Sequence, residues 1–229
     1  MSDELKRMAA EAAVAEIQDG MCLGLGTGST AKWVIEGVGR LVAEGLALKA
    51  VATSEASAQQ GRDLGIPLFD LDEIAPLDLA IDGADEIGPD LALIKGGGGA
   101  HFREKLVARA AKRFVVVADA SKRVAVLGAF GVPLEISDYA AKTIVADVAD
   151  AFRDQGLPAE LSFRQKDGRW ARSDNGHLLV DARCGEIADP AALAAALDRV
   201  PGLIEHGLFV NMAQRAYVAS ATGVDVFDA

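Results

Sequence analysis

The chain has 229 residues, 51% of them hydrophobic and 5% aromatic, with a net charge of −11. That length and apolar content can fill a substantial core, enough for one large domain with a smaller companion, and scarce aromatics beside abundant Ala, Val, Leu and Gly favour helices packed closely on a sheet. The acidic balance, with no basic run, works against a nucleic-acid partner, because phosphate contacts need clustered Lys and Arg; a small anionic substrate stays compatible, since a few cations and backbone N–H groups override the average field in a pocket.

In chain order, Met1-Ser2-Asp3-Glu4-Leu5-Lys6-Arg7 alternates charge and lacks the basic start and apolar core of a signal peptide. Leu5, Met8, Ala12 and Ala15 keep helical spacing up to the turn pair Asp19-Gly20. Met21 to Leu25 reads as a short buried strand that runs into Gly24-Leu25-Gly26-Thr27-Gly28-Ser29-Thr30, after which Trp33, Val34, Val38, Leu41 and Val42 follow a helical pattern. A strand over 49–53, a helix over about 54–64, a strand over 66–69 and an apolar run over 77–81 ending at Asp82 continue the alternation. A strand over 91–94, a glycine tract, a helix over 101–112 and the strand Phe114-Val115-Val116-Val117-Ala118 follow. Repeated strand and helix predict an α/β fold, a Rossmann-like, mostly parallel sheet with helices on both faces.

Past residue 130 or so the pattern changes to a strand, a helix carrying Ile144, Val145, Val148 and Phe152, two strands meeting at Asp167-Gly168 and a third after Asn175-Gly176. Asp189-Pro190 supplies an N-cap and a first-turn proline for an Ala-rich helix over 191–197. Residues 131–205 are therefore expected to form a small α+β domain, and 1–130 with 206–229 the Rossmann-like catalytic domain, the segment 208–229 rejoining the first sheet. No apolar run is long enough to span a membrane. Cys22 and Cys184 match no metal-ligand or C-x-x-C spacing, so free thiols and a reducing, cytoplasmic setting are expected.

Several motifs can carry chemistry. The loop over 24–30 sets flexible backbone and the hydroxyls of Thr27, Ser29 and Thr30 at a helix start, where N–H groups and the helix dipole favour a phosphate. No Lys precedes Ser29, which excludes a Walker A loop; Ser29 in the third-glycine position and Thr53-Ser54 after the next strand speak against dinucleotide binding. Asp82-Gly83-Ala84-Asp85-Glu86 follows a strand at the carboxyl edge, where a carboxylate can accept a sugar hydroxyl or cap a turn. In Lys95-Gly96-Gly97-Gly98-Gly99-Ala100, four consecutive glycines point to close approach or positive φ, and such backbone can offer N–H groups to an oxyanion beside the Lys95 cation. Glu104 lies at the start of the next helix between Arg103 and Lys105, and Lys122 emerges from the strand ending Asp119-Ala120-Ser121. His101, His177 and His206 show no metal-binding pattern, so neither a metal nor another cofactor is expected. A phosphate loop, strand-end carboxylates, a lysine beside N–H donors and a helix-start glutamate, with no nucleophile, form a kit for moving protons in a sugar phosphate.

These motifs, in this order and with Pro201-Gly202-Leu203-Ile204-Glu205-His206-Gly207-Leu208-Phe209, resemble those of the ribose-5-phosphate isomerase A family over essentially the whole chain. The resemblance implies an aldose-ketose isomerase that interconverts ribose 5-phosphate and ribulose 5-phosphate without a metal. It implies Glu104 as the base between C1 and C2. Asp82, Asp85 and Lys95 would bind sugar hydroxyls, assist ring opening and stabilise the enediolate. Thr27, Gly28, Ser29, Thr30 and Lys122 would face the phosphate end, with Gly83, Ala84, Gly96, Gly97 and Gly98 as further substrate contacts. Homodimers or homotetramers are implied, and no membrane partner. His101-Phe102 and Ser54-Glu55-Ala56-Ser57 depart from the family pattern. The competing reading is a sugar-phosphate-sensing domain that binds without turnover, which has no need of Glu104 beside the glycine tract.

Overall fold

The computed structural model describes residues 2–229; Met1, which opens the charge-alternating segment, lies outside them. The chain begins with α1 (Ser2–Val14), β1 (Cys22–Leu25), α2 (Ala31–Ala43), β2 (Lys49–Ala52), α3 (Glu55–Asp63), α4 (Leu71–Ile74) and β3 (Leu79–Asp82). The short strands β4 (Glu86–Ile87) and β5 (Leu93–Ile94) precede α5 (His101–Ala110), β6 (Phe114–Asp119) and a 3₁₀ turn (Ala120–Lys122). Next come β7 (Val132–Ile136), α6 (Ala141–Asp154), β8 (Glu160–Phe163), β9 (Gln165–Lys166), β10 (Arg169–Trp170), β11 (Leu178–Arg183) and α7 (Pro190–Leu197). The chain ends with β12 (Leu203–His206), β13 (Leu208–Phe209), β14 (Arg215–Ser220) and β15 (Gly223–Asp228). It divides into two compact units, one of Met1–Ala84, Arg103–Arg123 and Met212–Ala229, the other of Asp85–Phe102 and Val124–Asn211.

The first unit is built on a six-stranded sheet in the order β15-β14-β6-β3-β1-β2. All neighbours are parallel except the closing hairpin of β14 and β15. Alternating side chains serve two faces, as a pleated strand requires. Leu23 and Leu25 join Ala9, Ala13, Val34, Ile35 and Val38 of α1 and α2 in one core. Gly24, between them, faces α5 so closely that a Cβ there would lie 2.4 Å from Cγ1 of Val107. Helices thus cover both faces, as the alternation predicts. Because β1, β3 and β6 run the same way, the glycine loop, Asp82 and Lys122 all leave this sheet at its carboxyl edge. The strand expected over 66–69 is a single bridge between Ala50 and Leu68. Pro67 sits in that segment without an N–H to extend the ladder, and only its carbonyl is used, by Ala50 N–H at 3.0 Å.

The second unit holds a four-stranded antiparallel sheet, β12-β7-β11-β8, under α6 and α7, with Leu134, Ile136, Ile144, Val148, Phe152, Val180, Leu193 and Leu197 in its core. Asp167 and Gly168 have φ of 52° and 73°, the paired left-handed conformations of a two-residue hairpin turn joining β9 to β10. Asp189 caps α7 by accepting the Ala192 N–H at 2.9 Å, with Pro190 in the first turn. A separate three-stranded sheet, β13-β5-β4, corrects two expectations. Residues 85–102 group with the second unit rather than the first, and the last segment rejoins the six-stranded sheet only from β14 onward. β5 takes β13, far along the chain, as one neighbour and β4 as the other. The turn between β4 and β5, closed by Gly88 N–H on the Ala92 carbonyl at 2.8 Å, is too short for the crossover that a parallel partner needs, so these strands pair antiparallel with each other.

Among the described residues, no helix is long and apolar enough to cross a membrane. Cys22 and Cys184 are free thiols, and burial pushes Cys184 up to about 11.

Candidate active site

In the first unit the glycine loop and Asp82 are built around each other. A Cβ on Gly26 would lie 2.0 Å from Oδ1 of Asp82, so the carboxylate occupies space that only glycine leaves open. Oδ1 accepts the Thr27 N–H at 3.0 Å and the Gly83 N–H at 2.7 Å, and Asp82 is 3% exposed. Charge-assisted bonds of this kind hold an anion in one orientation. Gly28 then turns the loop with φ of +113°, and Thr30 leads into α2.

The loop hydroxyls diverge. Thr27 Oγ1 points into a cluster with Thr53 Oγ1 at 2.7 Å, Ser54 Oγ at 2.8 Å and Ser57 Oγ at 3.2 Å, and Ser57 also donates to the Gly26 carbonyl at 2.8 Å. Ser54 and Ser57, to which the sequence assigns no part in the loop, therefore brace it. Ser29 Oγ instead accepts from Lys6 Nζ of α1 at 3.0 Å. Lys6 carries no sign of this in the sequence, because a lysine on an amphipathic helix ordinarily marks a solvated face and nothing local ties it to a loop 23 residues away. Lys122, in the 3₁₀ turn after β6, makes no ion pair among the described residues; Asp119 before it accepts the Ser121 N–H at 3.0 Å and fixes that turn.

Glu104 is the decisive member of its charged triplet. Arg103 turns to the surface and pairs with Glu55 at 2.9 Å, whereas Glu104 is 4% exposed. Lys, Glu and Asp are rarely buried without a task, which sets the surface reading aside. Within the same unit Glu104 and Asp82 line one crevice with Gly24 and Gly26, too narrow for water. Glu104 stands in the first turn of α5, at the end where the helix dipole favours a carboxylate.

The chain leaves the first unit between Ala84 and Asp85 and returns to it between Phe102 and Arg103. In the second unit Asp85 is half-buried, and its Oδ2 accepts the Gly97 N–H at 2.7 Å. A Cβ on Gly97 would lie 2.7 Å from Oδ1 of the same carboxylate. Gly96, with φ of +109°, has His101 Nδ1 and Pro133 where a Cβ would go, at 2.6 and 2.9 Å. Gly99 N–H closes a turn on the Gly96 carbonyl at 2.9 Å. Two of the tract's N–H groups are thus spent inside the protein, while Gly98 is exposed and its N–H makes no bond among the described residues. Lys95 is 2% exposed, with its ammonium 5.4 Å from the Phe209 ring centroid and its N–H bonded to the Gly207 carbonyl at 2.8 Å. Among the described residues no cluster of His, Cys, Asp and Glu could hold a metal ion.

The first unit thus holds a shielded carboxylate beside an oriented one, and the second an oriented carboxylate, a buried cation and an exposed backbone donor, groups that proton transfer in a polar substrate can use. Comparison with known proteins is consistent with it. The family model for ribose 5-phosphate isomerase A (phosphoriboisomerase A) matches residues 49–223. The chain is 46% identical to ribose-5-phosphate isomerase A of Bradyrhizobium diazoefficiens, over 99% of this chain and 96% of the relative. It is 45% identical to that of Agrobacterium fabrum, over 99% and 98%. Among solved structures, ribose 5-phosphate isomerase from Plasmodium falciparum has a TM-score of 0.94 at 34% identity, covering 99% of both chains. A D-ribose-5-phosphate isomerase in complex with phospho-erythronic acid has a TM-score of 0.93 at 33% identity, covering 100% of both. On sequence and on structure alike, nearly end to end, the chain belongs to the ribose-5-phosphate isomerase A family.

Proposed function

We propose that this protein interconverts D-ribose 5-phosphate and D-ribulose 5-phosphate through an enediolate, as an aldose-ketose isomerase of the non-oxidative pentose phosphate pathway. The observation that carries the reading is Glu104, a carboxylate shielded from solvent in the first turn of a helix that follows a lysine and four glycines. Relatives across nearly the full chain bear the name of that activity, and one solved relative holds a phosphorylated sugar acid.

Glu104 takes the proton from C2 of the open-chain aldose and returns it to C1, while the O2 hydroxyl proton passes to O1, so one group serves as base and then as acid. The Lys95 ammonium and the Gly98 N–H stabilise the negative charge that develops on the substrate oxygens. Asp82 and Asp85 accept sugar hydroxyls and assist ring opening; both are already oriented by backbone N–H groups, which lowers the cost of positioning them. Gly28, Ser29 and Thr30 with Lys122 and Lys6 hold the phosphate, Thr27 acting from behind through its hydroxyl cluster. Gly83, Ala84, Gly96 and Gly97 supply backbone contacts to the sugar. The working form is a homodimer or homotetramer in the cytoplasm, a setting that suits two free cysteines. A sensor that binds without turnover has no use for a shielded base.

The test is to mix the protein with ribose 5-phosphate in excess chelator and follow formation of the ketose. Ribulose 5-phosphate should accumulate to equilibrium at the same rate with and without chelator. Binding of ribose 5-phosphate with no ketose formed would select the sensor reading, and activity restored only by a divalent metal would refute the metal-free mechanism.

A further inference from the structure

Behind the glycine tract, within the second unit, lies an ion pair that the reaction scheme leaves unused. Arg164, between β8 and β9, directs Nε at Oδ2 of Asp181 on β11 at 3.0 Å and Nη2 at Oδ1, a two-pronged clamp that fixes the plane of the guanidinium. Its remaining nitrogen, Nη1, donates to the carbonyls of Gly96 at 3.2 Å and Gly97 at 3.1 Å.

We propose that Arg164 is a positioning residue for the isomerase reaction, orienting the two peptide planes that present Gly97 N–H to Asp85 and Gly98 N–H to substrate. A trans peptide is planar. The Gly96 carbonyl and the Gly97 N–H belong to one rigid unit and point in opposite directions, as do the Gly97 carbonyl and the Gly98 N–H. With both carbonyls turned to one guanidinium, both N–H groups face away from it. The first of them meets Asp85 Oδ2 at 2.7 Å, as that geometry requires. The second belongs to exposed Gly98. Glycine lacks the Cβ that elsewhere restricts φ and ψ, so these planes depend on hydrogen bonds for their orientation, and the charge-assisted bonds from Arg164 add to those of Gly99 N–H and Asp85 a restraint that side-chain sterics cannot supply. Tight packing behind the tract reinforces it, since a Cβ on Gly99 would lie 2.7 Å from Leu179 Cδ1 and 3.6 Å from Arg164 Nη1.

The inference rests on the isomerase reading, and its test separates the two. Arg164→Met removes the donors while keeping length. It should lower kcat by about tenfold to a hundredfold, the scale on which small misplacements of catalytic groups act, with a smaller change in KM for ribose 5-phosphate. If Arg164 works through the peptide that anchors Asp85, the double variant with Asp85→Asn should fall little below Asp85→Asn alone. Arg164→Lys, a point charge unable to hold Asp181 and two carbonyls together, should recover only part of the loss. An inactive wild-type protein would refute the isomerase reading itself. An active wild type with Arg164→Met within twofold of it in kcat would overturn the positioning role, and a double variant whose loss is the product of the two single losses would overturn the part of it that runs through Asp85. Where Arg164→Met does not fold, Asp181→Asn serves as the probe, and an unchanged kcat in it overturns the role equally.

Discussion

The two glycine-rich segments solve different problems. In the loop over 24–30, glycine makes room. Gly24 lets α5 approach the sheet, and Gly26 yields the volume filled by the Asp82 carboxylate. In the tract over 96–99, positive φ at Gly96 and Gly99 shapes the backbone, which is then restrained from behind by Arg164 and in front by Asp85. The first segment sits on buried strands, and its Gly24 and Gly26 are steric necessities. The second joins a two-residue strand to a helix and owes its order to hydrogen bonds. A rigid seat for one carboxylate and a bonded, adjustable one for the other follow from that difference.

The largest effect expected belongs to neither segment but to Glu104, the base in the proposed reaction. Glu104→Gln preserves volume and removes the proton acceptor, so kcat should fall by about 10²–10⁴-fold with KM roughly retained. Next come the glycines themselves. Gly26→Ala must displace a carboxylate held by two N–H groups, and it should lower kcat/KM by about a hundredfold and reduce stability by about 1–3 kcal/mol, as overpacking does. Gly97→Ala meets the side chain of half-buried Asp85, which can swing aside, and a loss of about tenfold with little change in Tm is expected. Equal losses in the two variants would erase the distinction between a steric seat and a bonded one. The smallest effects concern the phosphate end. Lys122→Ala should raise KM about tenfold with a lesser change in kcat, whereas Lys6→Ala, whose contact to Ser29 is exposed, should raise it only about threefold. Steady-state kinetics on the pair would show whether that ranking is right.

Much of the fold was legible because its signals are local. Asp189-Pro190 announces α7, and Asp167-Gly168 announces a hairpin whose φ values are those such a pair favours. Buried parallel strands such as Phe114–Asp119 show as continuous apolar runs. Where a single residue outweighs the apolar pattern, as Pro67 does, the strand shrinks to a bridge. The placement of residues 85–102 was not legible, since pairing with β13 brings together segments far apart in the chain. The same holds at the site. Asp82, Lys95 and Glu104 stand out by their place at strand ends and a helix start. Lys6, Ser54, Ser57, Arg164 and Asp181 act on those motifs across long sequence separations and carry no local mark of it.

The central claim is that Glu104 itself moves the proton, and solvent isotope exchange tests it most directly. Wild-type protein equilibrated with ribose 5-phosphate in deuterated water should exchange the C2 hydrogen of the aldose and carry deuterium into C1 of the ketose. In Glu104→Gln that exchange should fall in parallel with isomerisation, by about 10²-fold or more, because the same carboxylate generates the enediolate. Exchange at close to the wild-type rate in the variant would contradict the account and shift the role of base to Asp82 or Asp85.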